Sequence, residues 1–188
     1  MEAKLREHAA GVQNTPAARE DRAARAAVAP ASHALGHARL LLVGVWLGAA
    51  LFFSFAVAPS AFAVLPAREL AGAIVTRTIG IVNVSGVIVG LLLLATAFVG
   101  VAKKRAWMLE TLALALLVAA TAVGHWVISA RMQALRLSMG RPVDELAQSD
   151  PVRVAFNNLH GYSVAAMTTA MLAALVAFLL IARRNRNA

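Results

Sequence analysis

The chain has 188 residues, 60% of them hydrophobic, with a mean hydropathy of +0.71 and no cysteine. That composition exceeds what a soluble domain of this length can bury, and the missing thiol excludes disulfides, thiol chemistry, Cys-ligated zinc and iron–sulfur clusters. The formal charge of +9 does not point to nucleic acid. Most Lys and Arg flank apolar runs, where they set orientation and meet anionic headgroups, so the expected partner is the lipid bilayer.

Residues 1–37 are rich in Ala, Arg and Glu, with Pro16 and Pro30 as predicted breaks. They read as a cytoplasmic tail, disordered or carrying a surface helix through Ala17–Val28, since Ala and Arg favour helix. The predicted domain boundaries are a tail at 1–37, a transmembrane domain at 38–182 and a basic C-terminal tail at 183–188. Four apolar stretches follow, at 40–58, 79–102, 106–130 and 154–182. Each meets or approaches the roughly 20 residues a transmembrane helix needs. The expected fold is all-α: a four-helix transmembrane bundle, up-down-up-down.

The first stretch carries Gly44-Val45-Trp46-Leu47-Gly48 and is expected to stop at Pro59. Ala61-Phe62-Ala63 has the small-residue character of a signal cleavage site, but the long preceding region favours a retained helix. The segment Ala61–Thr78 reads as a short connection held near the headgroups by Arg68, Glu69 and Arg77. The second stretch carries Gly86-Val87-Ile88-Val89-Gly90. Lipid gives no hydrophobic drive for helix association, so Gly44, Gly48, Gly86 and Gly90 are candidates for close helix packing. Lys103-Lys104-Arg105 predicts a tight antiparallel hairpin into the third helix, which should reach Met139 before Gly140 and Pro142. Asp150-Pro151 reads as the cap and first turn of the fourth helix.

Four spans put both termini on one face. That face carries Arg22, Arg25, Arg39, Lys103, Lys104, Arg105, Arg183, Arg184 and Arg186; the other has Arg68, Arg77, Arg131, Arg136, Arg141 and Arg153. The excess predicts cytoplasmic termini in a bacterial cytoplasmic membrane.

Polar groups inside a span are costly and often functional. Ser54, Asn83, His125 and His160 lie about four to six residues from their helix ends, roughly 6–9 Å inside the boundary opposite the termini. They form a candidate polar layer, either a ligand pocket or hydrogen-bonding glue, with His160 expected to point inward toward Asn83 or His125. A haem iron bracketed by His125 and His160 is a second reading, because imidazole is a common haem ligand. A stripe of His160, Ser163, Met167 and Met171 offers soft copper ligands, with ordinary packing the simpler account. Glu110 reads as a headgroup-level ion pair with the bases at 103–105, and Trp107 and Trp126 as an aromatic belt. No G-x-S-x-G, H-E-x-x-H or phosphate-binding glycine loop is present, so no catalytic residue is assigned and the reading leans away from an enzyme.

Several of these blocks carry a likeness. Val45-Trp46-Leu47-Gly48, Leu51-Phe52-Phe53-Ser54-Phe55-Ala56-Val57-Ala58-Pro59 and Val64-Leu65-Pro66, with Asp150-Pro151 and Phe156-Asn157-Asn158-Leu159-His160-Gly161-Tyr162-Ser163 later on, resemble the transmembrane-protein-205-like family, domain of unknown function 4149. Trp126 followed by Arg131 also fits, and the likeness covers roughly 38–182. It implies a four-helix integral membrane protein. The family is distantly similar to copper-resistance-D-like and haem-associated protoporphyrinogen-oxidase membrane proteins. Those relatives carry a first-helix histidine where this chain has Arg39, a departure that weakens a haem or copper carry-over. The functional expectation is an accessory to small-solute or metal handling. The alternatives are a haem-binding redox protein and a structural or partner-binding subunit, homo-oligomeric or with a membrane protein partner.

Overall fold

The computed structural model describes residues 16–97, 104–139 and 143–186. Four helical rods run antiparallel to their neighbours around a square. The first, α1, covers 16–64 as Pro16–Phe52, a π-helical turn Phe53–Val57 and Ala58–Val64. It is followed by α2 (Arg68–Ala97). The third, α3, covers 104–139 as Lys104–Ala122, a π-helical segment Val123–Ser129 and Ala130–Met139. A 3₁₀ turn Val143–Glu145 leads to α4 (Pro151–Arg186). Each helix packs against the next, and α4 closes the ring against α1.

The four apolar spans are Ala34–Val64, Arg68–Ala97, Trp107–Met139 and Pro151–Arg186. At 1.5 Å per residue each is about 45 Å or longer, against about 30 Å of hydrocarbon, so their ends emerge into the headgroup layers. Large apolar side chains such as Leu41, Val45, Phe55 and Leu112 face outward, as lipid-facing surface requires. The chain is an integral, multi-pass membrane protein.

The helices are apolar nearly all round, so the inner faces are told apart by burial: they combine large apolar side chains with Gly and Ala at the close contacts. On α1 the buried stripe is Arg39, Val43, Trp46, Ala50 and Phe53. On α2 it is Val82, Gly86, Gly90, Leu93 and Ala97. Glu110, Leu114, Leu117 and Thr121 form it on α3, and Met167, Ala170, Ala174, Ala177 and Ile181 on α4. Each set steps by three or four residues, one face of an α-helix.

Several predicted boundaries shift. Helix α1 does not stop at Pro59, and Pro30 does not break it. A mid-helix proline loses one hydrogen bond and clashes one turn back; the π turn Phe53–Val57 directly before Pro59 widens that turn. The rod ends at Leu65, extended at φ −77° and ψ 137°, because the proline ring that follows disfavours helical geometry. The predicted connection 61–78 is therefore only three residues, 65–67, and α2 begins at Arg68. At α4, Asp150 Oδ1 accepts from Val152 N at 2.8 Å, capping the helix as its sequence suggests. Lys103, Gly140 and Pro142 lie outside the described residues.

Close packing uses three of the four candidate glycines. A Cβ on Gly86 would come within 2.8 Å of Thr121 and Trp46, one on Gly90 within 2.5 Å of Val118, and one on Gly44 within 3.3 Å of Phe178. Gly48 has nothing within 4 Å and is exposed. This corrects its assignment: it lies two residues beyond Trp46, on the far side of α1.

Candidate functional sites at the two ends of the bundle

The polar layer does not converge. Equal depth does not fix the direction in which a side chain points, and the four residues take three different directions. Ser54 lies between α1 and α4; its Oγ donates to Ala50 O at 2.8 Å and stands 4.0 Å from Met171 Sδ. Asn83 is buried, its amide against the Gly124 backbone, which has no Cβ in the way. His125 sits one residue further along α3, its ring against Gly80. Asn83 and His125 thus share the α2/α3 seam, each opposite a glycine of the other helix. His160 is exposed, which corrects its expected inward direction. The inward face at the start of α4 passes through Leu159 and Ser163 instead, about 100° around the helix. His125 and His160 therefore do not bracket a common iron position. Met167 and Met171 pack into the core. Among the described residues no group of three His, Cys, Asp or Glu side chains could hold a metal ion.

His125 forms part of a groove of about 770 Å³ between α2 and α3, toward the face opposite the termini. Its floor includes Gly80, Val84 and Ser85, and its rims are Ile81, Ile88 and Trp126, all exposed. Thr76, Arg77 and Gln133 lie at its outer end and Ser129 beside the histidine. The hydroxyls of Ser85 and Ser129 are occupied within their own helices, by Val82 O and Gly124 O. Among the described residues His125 Nδ1 is buried without a partner, and its ring stands edge-on to Trp126 at 4.9 Å and 89°. This histidine lies inside the π segment Val123–Ser129. π-bulges are rare and concentrate at functional sites. The groove is of ligand size, within the roughly 300–1,000 Å³ typical of small-molecule sites.

At the terminal end lies a polar feature not apparent from spacing alone. Arg39 is 1% exposed and Glu110 2%. Arg39 Nη2 donates across the bundle to Glu110 Oε1 at 2.5 Å and to Leu93 O of α2 at 3.1 Å. Arg184 of α4 reaches Glu110 Oε2 at 3.2 Å and is 28% exposed. One carboxylate thus holds two guanidiniums, and all four helices contribute. The side chains of 103–105, expected to pair with Glu110, lie outside the described residues; the described partners of Glu110 are Arg39 and Arg184. The signal was present in the sequence, since Arg39 lies in register with Val43, Trp46, Ala50 and Phe53 on the inward stripe.

The family model for a domain of unknown function, DUF4149, matches residues 41–141. The chain belongs to this family. The match takes in Trp46, the glycines of α2 and His125 on α3, while Arg39 and all of α4 fall outside it. No curated protein and no solved structure matches the chain. Membership of DUF4149 agrees with the four-helix membrane architecture and carries no assigned chemistry.

Proposed function

We propose that this DUF4149 protein binds a single-chain amphiphile of the fatty-acid class in the α2/α3 groove, as an accessory to small-solute handling in the membrane. The observation that carries the reading is His125 Nδ1, buried beside Gly80 and, among the described residues, without a partner, in a groove walled by Ile81, Val84, Ile88 and Trp126 and polar at its outer end. A buried polar group without a partner is costly, and a ligand oxygen at that point removes the cost. The groove follows α2 from Thr76 to Ile88, about 18 Å of helix. An acyl chain lies along Ile81, Val84 and Ile88, and its carboxylate meets His125, Gln133 and Arg77 toward the headgroup level. Exposed Ile81 and Ile88 open the groove sideways to lipid, so the amphiphile enters from the leaflet.

The same reading places the termini in the cytoplasm, supported by the nine-to-six excess of near-membrane Lys and Arg on the terminal face. The groove then serves the outer leaflet.

The test is binding of a fluorescent long-chain fatty acid to the purified protein in detergent. His125→Leu should weaken binding about tenfold, the loss expected for one hydrogen bond to a buried group. Gly80→Leu should block the groove beside the ring. Unchanged binding in both variants, with melting temperatures like the parent's, contradicts the assignment.

A further inference from the structure

We infer that the terminal end of the bundle holds a second site, for a phosphate oxyanion, built on Arg184 and Asn185 of α4 and kept electropositive by Arg39. The charge count leads there. Glu110 spends one oxygen on Arg39 and the other on Arg184, so among the described residues the triad retains one uncompensated positive charge. The free hydrogen-bonding capacity around it is on the donor side. Among the described residues, Arg39 Nε and Nη1 and Asn185 Nδ2 are buried without a partner. Asn185 is close to Arg39: its amide lies against Gly36, one turn before Arg39 on α1. The accessible part of this cluster is Arg184, 28% exposed, which carries surplus positive charge and free donors, with the Asn185 amide beside it; that is complementary to a group that only accepts and carries negative charge, which describes a phosphate.

Arg39 is sealed within the bundle, so it does not touch the ligand. It draws on the charge of Glu110, leaving Arg184 less than fully neutralised. Arg184, partly exposed beside exposed Arg183 and Arg186, presents its remaining N–H groups at headgroup level. A lipid phosphate or free inorganic phosphate supplies the same chemistry, and the experiment separates them. This site is independent of the α2/α3 groove, at the opposite end of the helices.

The full chain is reconstituted in nanodiscs of mixed phosphatidylglycerol and phosphatidylcholine, and lipid retention is read by native mass spectrometry. The wild type should retain phosphatidylglycerol over phosphatidylcholine by about fivefold, the effect of roughly one basic residue near an anionic surface. Arg184→Gln should abolish the preference and Arg184→Lys keep part of it. Glu110→Gln, by removing the only carboxylate of the triad, should increase the preference, an outcome that a purely structural ion pair does not produce. Thermal stabilisation of the detergent-purified protein by inorganic phosphate, lost in Arg184→Gln, assigns the site to free phosphate. No lipid preference together with no phosphate stabilisation overturns the proposal, as does a preference unchanged in Arg184→Gln.

Discussion

Arg39 and Glu110 are the residues whose removal should cost most. A buried ion pair adds little net stability against a well-packed apolar pair, yet breaking one side leaves a buried charge uncompensated. Arg39→Leu leaves Glu110 with Arg184, which is partly solvated. Glu110→Gln leaves two guanidiniums without a counter-charge, one of them fully buried. Glu110→Gln should therefore destabilise more than Arg39→Leu, and should itself cost about 3 kcal/mol or more. The double variant Arg39→Leu/Glu110→Leu should recover much of that loss. Melting temperatures in detergent give the comparison, and a double variant worse than the sum of the singles contradicts this account. The sequence showed both residues but not their meeting. By sequence alone Arg39 reads as a boundary charge, because a charge near a helix end ordinarily snorkels to water. Only the direction set by its stripe distinguishes a snorkelling arginine from one that crosses the bundle.

At the scale of the helices, glycines and π turns decide how closely the rods approach. On the α2/α3 seam large and small residues alternate: Asn83 faces Gly124, His125 faces Gly80, and Thr121 and Trp46 close over Gly86. Trp46 also donates from Nε1 to Val82 O at 3.0 Å, joining α1 to this seam. Gly86→Leu and Gly90→Leu should each cost about 1–3 kcal/mol through overpacking, whereas Gly48→Leu, projecting into open space, should leave the melting temperature unchanged. A loss in Gly48→Leu as large as in Gly90→Leu would mean that Gly48 is covered after all. The GxxxG spacings were legible from sequence, but which of the four glycines face inward was not, because helices apolar on every side carry no polar face to orient them. The two π segments were not legible either. Phe53–Val57 and Val123–Ser129 contain no residue type that requires them, and only Pro59 just beyond the first suggests a physical reason.

For the whole molecule, the class, the number of spans and their alternation follow from apolar length alone, and the structure agrees with them. Antiparallel packing around a closed ring puts both helical ends, Pro16 and Arg186, on one face. Reporter fusions at Ala188 and in the 143–150 connection should therefore report opposite sides, with the Ala188 fusion cytoplasmic. Activity of the Ala188 fusion only on the external side reverses the assignment and moves the groove to the inner leaflet. The functional account rests on one claim, that the α2/α3 groove receives a ligand oxygen at His125. The ¹⁵N chemical shift of the His125 imidazole nitrogens, followed in the detergent-purified protein during titration with a long-chain fatty acid, tests it most directly. The account predicts a saturable shift at Nδ1 that disappears in Gly80→Leu. A His125 resonance unmoved while the amphiphile binds elsewhere would contradict it.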